Sequence, residues 1–355
     1  YKKDGEPAMN NTLRFPADTF TMDHKTVKTR SGEVEVTYRK YEHLPYVRDP
    51  VDVEYQSLDI WAPVSLNGKD YDPTNAPIFF AIDVGGYMSS SNLRGFGPPP
   101  PGGPGGPGGP GGPDGGPGGP PPAAAPNGGY LGLGGEEGSG NTKALALAYG
   151  FVVVSPGCRG RDNQFPDGTY YGKAPAAIVD LKAAVRYLRH NKDSIPGDPE
   201  KIFSSGGSAG GALSCLLAAS GNSPLYDPYL KEIGAAGEGD SILGSASYSP
   251  ITNLEHADSA YEWEYGSIPC VGSQGGPMGF IPAGMVDQEL SKALAAEFPP
   301  YQDSLKLTGM NDYGLVTADN LKDYILKVFL VPAANKAWGE STPEQQAQYL
   351  NCLLY

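Results

Sequence analysis

The sequence predicts an α/β protein with a mostly parallel, doubly wound sheet that carries helices on both of its faces. Two kinds of segment support this prediction. Ile78–Ile82 and Phe151–Val154 are short, continuous apolar runs, as in strands that are buried on both faces. Pro175–Asn191 repeats apolar residues at helical spacing, with a proline in the first turn. The alternation of such strands and helices is typical of βαβ units.

The segment before this alternation is also strand-like. Between residues 32 and 63, apolar residues alternate with polar ones around Val34–Tyr38 and again around Val51–Tyr55. This alternation predicts a half-buried strand in each stretch. Residues 97–129 then consist almost wholly of Pro, Gly and Ala. We expect them to form a flexible loop inserted in the folded domain.

Regular structure resumes after the Pro/Gly-rich segment. Thr142–Tyr149 predicts a helix that leads into the strand at Phe151, and Ile242–Tyr248 predicts a further strand. Strands and helices therefore continue to alternate up to about residue 250. We assign residues 1–250 to an α/β core on this basis.

Beyond Pro250 the alternation stops. Residues 251–355 lean towards helix, with Asp287–Phe298 as their most regular stretch. The apolar run Tyr324–Val331 is compatible with either a strand or a buried helix. We expect residues 251–355 to form a helical lid or cap segment.

The stretch Gly206-Gly207-Ser208-Ala209-Gly210 is the strongest functional signal in the chain. It follows Lys201–Ser205, which predicts a strand, and precedes Ala212–Ala219, which predicts a helix. A Gly-x-Ser-x-Gly motif in this setting is typical of a nucleophile elbow, where glycines permit the strained turn that presents the serine. We therefore predict Ser208 as a catalytic nucleophile. The alternative is a glycine-rich turn with a structural serine.

A serine nucleophile also needs N–H donors that stabilise the oxyanion of the reaction. The backbone N–H of Ala209, directly after the serine, is one predicted donor. The second predicted donor is Gly86, because it follows the strand Ile78–Ile82 and glycine lets the backbone approach a substrate oxygen. A plain turn at the end of the strand is the alternative for Gly86.

The sequence offers few candidates for the general base. Three of the four histidines precede Ser208, namely His24, His43 and His190. In chains built on this elbow the acid and then the histidine follow the serine. His256 alone does so here, and Asp227, Asp240 and a few glutamates between Ser208 and His256 would then be candidates for the acid. The base and the acid would both lie unusually early, so a local role for His256 is the alternative.

Composition excludes several classes of function. The net charge of −14 disfavours nucleic acid as a partner, since phosphates require clustered Lys and Arg. The apolar run Ala144–Val154 is shorter than the roughly 20 residues that span a bilayer. The four cysteines form no C-x-x-C pair, so we expect no metal, and we expect no cofactor either. These features fit a protein that acts on small molecules.

Several motifs resemble those of the bacterial tannases, often called subtype B, which are α/β-hydrolases that cleave galloyl esters. They occur in the same order: Val84-Gly85-Gly86-Tyr87-Met88, Arg159-Gly160-Arg161, Gly172-Lys173-Ala174-Pro175, Ser208-Ala209-Gly210-Gly211, Ser220-Gly221-Asn222-Ser223 and Asn253-Leu254-Glu255-His256. The resemblance implies an α/β-hydrolase fold with an inserted helical lid. It also implies a serine esterase that works through an acyl-enzyme on galloyl (phenolic) esters. Ser208 would be its nucleophile, and Gly86 and Ala209 would supply the oxyanion N–H groups.

The resemblance implies a further segment as well. In that family the catalytic Asp and His, and the charged residues that bind the galloyl hydroxyls, lie after the region that corresponds to this chain. We therefore expect residues 1–355 to be the N-terminal part of a longer hydrolase, inactive alone, whose Asp and His come from a C-terminal segment. Two alternatives stay open: a catalytically inactive module with a binding role, and a non-tannase esterase that uses His256 as base.

Overall fold

The computed structural model describes residues 13–92, 142–251, 253–266, 270–271, 281–282 and 287–352. The predicted Pro/Gly-rich loop at 97–129 lies outside these residues. The chain divides into two compact units between Thr252 and Asn253. No helix in the described ranges is both long and apolar enough to cross a membrane.

The first unit is built on one sheet, which has eight strands in the described part of the chain. The strands are β1 (Thr21–Thr29), β2 (Gly32–Pro45), β3 (Ser57–Leu66), β4 (Lys69–Asp70), β5 (Ile78–Ile82), β6 (Val152–Pro156), β7 (Ile202–Gly207) and β8 (Gly244–Tyr248). Their order is β1-β2-β3-β6-β5-β7-β8, with β4 paired to β3. The strands β6, β5, β7 and β8 run parallel, whereas β1 to β4 are antiparallel neighbours and β3 meets β6 antiparallel.

The helices of the first unit cover both faces of this sheet. They are α1 (Thr142–Ala148), α2 (Ala176–His190), α3 (Ala209–Ala219) and α4 (Asp227–Glu232). Val153 packs in one apolar cluster with α1, while Val152 and Val154 pack in another with α2 and α3. Successive residues of a strand point to opposite faces, so α1 lies on the face opposite α2 and α3. The predicted fold class is confirmed.

The strand predicted around Val51–Tyr55 does not form. Residues 51–56 form turns, although Val51–Tyr55 alternates in the manner of a strand. The side-chain oxygen of Gln56 accepts hydrogen bonds from the backbone N–H groups of Val51 (2.6 Å) and Asp52 (3.2 Å). These bonds close the backbone into a turn and satisfy donors that a strand would direct to a neighbouring strand.

The second unit is mainly helical in its described parts. Its helices are α5 (Ala257–Tyr265), α6 (Gln288–Ser304), α7 (Leu321–Ile325), α8 (Val331–Glu340) and α9 (Pro343–Cys352), with a π turn at Leu326–Leu330. Its short strands are β9 (Cys270–Val271), β10 (Ile281–Pro282), β11 (Leu307–Gly309) and β12 (Gly314–Val316). Asp287 caps α6 by accepting hydrogen bonds from the N–H groups of Glu289 and Leu290. The assignment of this unit as a lid stays a prediction.

The run Tyr324–Val331 is helical, so the strand alternative left open by its apolar pattern is wrong. It is not a buried helix, however. Leu326, Phe329 and Leu330 each expose between 44% and 56% of their surface. An apolar run of this length does not by itself specify burial, because nothing in the pattern shows whether another element covers it.

Candidate active site

Ser208 lies at a sharp turn between β7 and α3, as predicted for the nucleophile. Its φ of 54° and ψ of −119° are strained for a residue with a side chain, and such strain is concentrated at functional sites. Its backbone N–H donates to the carbonyl of Tyr248 at 2.9 Å, which ties the turn to the end of β8. Ser208 as a whole is half-buried.

Glycines allow strand β7 and helix α3 to pack at this turn. A Cβ atom on Gly206 would collide with the backbone of Gly210. A Cβ atom on Gly210 would lie 2.7 Å from the carbonyl oxygen of Ile82 and 2.9 Å from that of Val84. One on Gly211 would lie 2.7 Å from the carbonyl oxygen of Tyr248. The glycines of the motif are therefore needed for close contact between backbones, in addition to the turn itself.

Gly210→Ala is expected to destabilise the protein by about 1–3 kcal/mol, because the added methyl group meets backbone that cannot move independently. Gly237→Ala is the matched control, since a Cβ atom there has no heavy atom within 4 Å. Urea unfolding of both variants measures the difference. Equal stability of the two variants would contradict the packing role assigned to Gly210.

The two predicted oxyanion donors follow neighbouring strands at one edge of the sheet, Gly86 in the loop after β5 and Ala209 at the start of α3. Strands β5 and β7 pair in parallel with Ile82 opposite Gly206, so their carboxyl ends coincide. The N–H of Gly210 donates to the carbonyl of Val84 at 2.9 Å and joins the first turn of α3 to the loop that carries Gly86. Ala209 is the first residue of α3, where the helix provides no acceptor for its N–H. The oxyanion roles of Ala209 and Gly86 stay predictions.

A second loop, residues 157–162 after β6, supports the loop that carries Gly86. Ser90 and Cys158 exchange backbone hydrogen bonds of 2.9 Å each. The carboxylate of Asp162 accepts from the backbone N–H (2.6 Å) and the hydroxyl (2.7 Å) of Ser89. A Cβ atom on Gly160 would collide with the backbone of Met88 and Ser89. No residue of this polar loop was predicted from the sequence to have a role. The position of the loop after a parallel strand could have indicated one, because sites in such sheets lie at the carboxyl ends of the strands.

The supporting loop is anchored from α2 by a buried ion pair. Arg159 donates from Nε to Oδ2 of Asp180 at 2.9 Å and from Nη2 to Oδ1 at 2.8 Å. The side-chain amide of Gln56 donates to the same carboxylate at 2.9 Å. Asp180 is fully buried, so this bidentate pair fixes the start of the loop within the core.

None of the three histidines of the first unit makes a described contact with Ser208. The Nδ1 atom of His190 lies 2.8 Å from a carboxylate oxygen of Glu238, and the Nδ1 atom of His43 lies 3.8 Å from one of Asp59. His24 is exposed on β1. The first unit thus shows a nucleophile turn without a described base.

His256 belongs to the second unit, where its ring stacks on that of Tyr301 with 3.7 Å between centroids. It also directly precedes α5, whose residue Ser259 donates to the His256 carbonyl at 2.9 Å. These contacts match the local role that was the alternative to catalysis. They leave its candidacy as base a hypothesis.

Both candidate aspartates of the His256 alternative are engaged by basic residues of α2. Asp240 is buried and accepts from Lys182 Nζ (2.8 Å) and Arg186 Nε (2.7 Å), while Asp227 pairs with Arg186 at 3.3 Å. Burial opposes the charged form of Asp240. The bonds from Lys182, from the Asn222 backbone N–H and from Arg186 outweigh burial, so the pKa of Asp240 lies below its ordinary value. These contacts indicate a structural role for Asp240.

In the described parts of the chain, no group of three or more His, Cys, Asp or Glu side chains could bind a metal ion.

Comparison with known proteins shows which proteins the chain resembles. The BD-FAE family model matches residues 135–262, which include the serine turn. Esterase LipQ of Mycobacterium tuberculosis is 35% identical over 88 residues, which cover 25% of this chain and 20% of that protein. The versiconal hemiacetal acetate esterase of Dothistroma septosporum is 31% identical over 104 residues, or 29% of this chain and 27% of that protein. The chain thus has the α/β-hydrolase fold, and the relatives that it matches are named as esterases.

Within that class the resemblance to bacterial tannases is confirmed. The tannase of Fusobacterium nucleatum is 38% identical with a TM-score of 0.59, over 86% of this chain and 59% of that one. The tannin acyl hydrolase of Lactobacillus plantarum is 31% identical with a TM-score of 0.63, over 95% of this chain and 66% of that one. The chain therefore spans about three fifths to two thirds of the length of these tannases.

Proposed function

We propose that the protein is a carboxylic ester hydrolase that uses Ser208 as its nucleophile. The observation that carries this proposal is the strained backbone of Ser208 between β7 and α3, at the carboxyl edge of the parallel strands. In the reaction, Ser208 Oγ attacks the ester carbonyl and its proton passes to a base. The base then returns this proton to the leaving oxygen as the ester C–O bond breaks, which releases the alcohol and leaves the acyl-enzyme. Water then cleaves the acyl-enzyme by the same route.

We propose galloyl esters, the phenolic esters of tannin chemistry, as the substrate class. Support comes from the tannases that the chain resembles, one of which was solved in complex with ethyl gallate. That structure shares 32% identity with this chain, which covers 65–66% of the length of such proteins. The substrate class therefore rests on similarity, while the nucleophile rests on geometry within the chain.

We propose that the general base comes from outside the first unit, because no described histidine of that unit contacts Ser208. A C-terminal segment that carries the Asp and His of the tannases is the first source. His256 of the second unit is the other. The two sources predict different outcomes for His256→Ala in the protein as its gene encodes it: activity is kept in the first case and lost in the second.

Labelling by a fluorophosphonate probe, together with hydrolysis of methyl gallate and p-nitrophenyl acetate, tests the proposal in the protein as its gene encodes it. We expect one labelled serine, Ser208, identified by peptide mapping, and turnover of methyl gallate. Labelling of Ser208 with turnover of p-nitrophenyl acetate alone would keep the esterase and remove the galloyl substrate. Absence of both labelling and turnover would overturn the proposal and favour a binding module.

A further inference from the structure

The loop that carries Gly86 is a tight turn with an unfavourable backbone. It runs from Gly85 to Met88, and the Met88 N–H donates to the Gly85 carbonyl at 3.0 Å. Both central residues, Gly86 and Tyr87, have a φ of 57°. Positive φ at both central positions is the mark of a type I′ turn. Glycine adopts this conformation freely, but a tyrosine does so only when its surroundings enforce it.

Arg161 contacts both central carbonyls of this turn. Its Nε donates to the carbonyl of Gly86 at 2.7 Å, and its backbone N–H donates to the carbonyl of Tyr87 at 2.9 Å. Together with the bond from the Met88 N–H to the Gly85 carbonyl, these bonds hold three consecutive carbonyl groups of the turn. Arg161 holds two of the three, those of Gly86 and Tyr87. In a planar trans peptide the N–H that follows a carbonyl points the opposite way. The Met88 bond therefore orients the Gly86 N–H, and the two Arg161 bonds orient the N–H groups of Tyr87 and Met88.

The bond from Arg161 to Gly86 opposes a specific motion. Rotation of the Gly86–Tyr87 peptide by half a turn would convert the type I′ turn into type II′, in which the second central residue has negative φ. That flip would relieve the strain at Tyr87. It would also withdraw the Gly86 carbonyl from Arg161 and reverse the Tyr87 N–H, so that the turn presents a different set of donors to its surroundings.

We propose that Arg161 is a positioning residue that holds the Gly86–Tyr87 peptide in its type I′ form and so keeps the turn directly after the predicted oxyanion donor Gly86 in place, an inference that rests on the ester hydrolysis proposed above. Arg161 acts through the backbone of Gly86 and Tyr87, without itself contacting substrate. The neighbouring residues hold it in place: Asp162 binds Ser89, and Asp180 binds Arg159. The flat guanidinium group suits this role because its Nε–H has a fixed direction, unlike the rotating ammonium of lysine.

Kinetics of Arg161→Met and Arg161→Lys with p-nitrophenyl acetate, in the protein as its gene encodes it, test the proposal. This ester has no charged group for Arg161 to bind. Removal of one oxyanion donor costs about 10²–10³-fold in kcat. Arg161→Met keeps the Gly86 N–H but loosens the turn that carries it, so we expect a smaller loss of about 10–100-fold in kcat, with KM nearly unchanged. Arg161→Lys should recover part of the loss. Arg39→Met is the matched control, since Arg39 is an exposed arginine on β2 that lies over the ring of Phe20, and it should keep wild-type kcat.

Hydrogen exchange of the peptide that contains residues 84–88 provides a readout that does not depend on catalysis. We expect faster exchange in Arg161→Met than in wild type or Arg39→Met. A folded Arg161→Met variant with wild-type kcat, or with raised KM and unchanged kcat, would overturn the positioning role, and so would unchanged exchange. Full activity of Ser208→Ala would instead overturn the proposed function, and the exchange measurement would still decide whether Arg161 holds the turn.

Discussion

Ser208→Ala is expected to lower kcat by on the order of 10⁴-fold or more, while KM changes little. The substitution removes only the hydroxyl group that forms the acyl-enzyme. The remaining rate would come from the oxyanion donors and from substrate binding, which stay in place. Steady-state kinetics with methyl gallate and p-nitrophenyl acetate measure the effect in the protein as its gene encodes it.

Ser247→Ala is the matched control for this experiment. Ser247 is a serine of the neighbouring strand β8, opposite Gly206, and its hydroxyl lies 2.7 Å from that of Ser245. We expect its kcat to remain close to that of wild type. A similar loss in both variants would point to general damage at this edge of the sheet. Retention of kcat in Ser208→Ala would remove Ser208 from the mechanism.

Asp240→Ala is expected to destabilise the first unit by about 3–5 kcal/mol at pH 7, because it leaves a buried charge without its partner. Lys182 is completely buried, and its ammonium group would keep only the carbonyl of Ser220 and the ring of Tyr226. Asp227→Ala is the matched control. Asp227 also pairs with Arg186, but its side chain is 60% exposed, so its loss should cost at most about 1 kcal/mol.

The effect of Asp240 on stability should depend on pH in one direction. Its pKa is lowered in the folded state, so its contribution is fully present above the ordinary carboxyl pKa of about 4. The contribution is lost as the pH falls from there towards the lowered folded value. Urea unfolding of wild type and Asp240→Ala at pH 7 and pH 3 should therefore show a smaller difference at pH 3. An equal difference at both values would contradict a charged Asp240 as the source of the effect.

The parts of the fold that the sequence could predict are those with local signals. Strands β5 and β6, helix α2 and the turn at Ser208 each follow from apolar runs, helical spacing or glycines within a few residues. The turn at Val51–Tyr55 was missed because hydrogen bonds from the backbone to the side chains of Gln56 and Asp52 close it, and the alternating pattern of apolar residues does not reveal them. A local pattern also could not predict that Leu326, Phe329 and Leu330 are exposed.

The contacts that support the candidate site were harder to predict, since they join segments far apart in the chain. Nothing in the residues around Gly86 indicates that Arg161 would reach its carbonyl, or that Asp162 would hold Ser89. The pairing of Asp240 with Lys182 and Arg186 also could not be predicted, although the three residues lie in predicted elements or next to them. Side-chain partners at such separations depend on tertiary packing, which a single sequence does not encode in any local pattern.

The separation of these contacts has a consequence for folding of the newly synthesised chain. Arg161 follows Gly86 by 75 residues, and Gly210, which bonds to Val84, comes later still. Closing such long loops costs entropy, so contacts of this kind form late compared with local helices. The turn at Gly86 therefore leaves the ribosome well before the residues that give it its shape. The edge of the sheet that carries Ser208 and Gly86 becomes organised only when α3 has been made and packed, so we expect intermediates that lack α3 to lack the contacts that shape this edge.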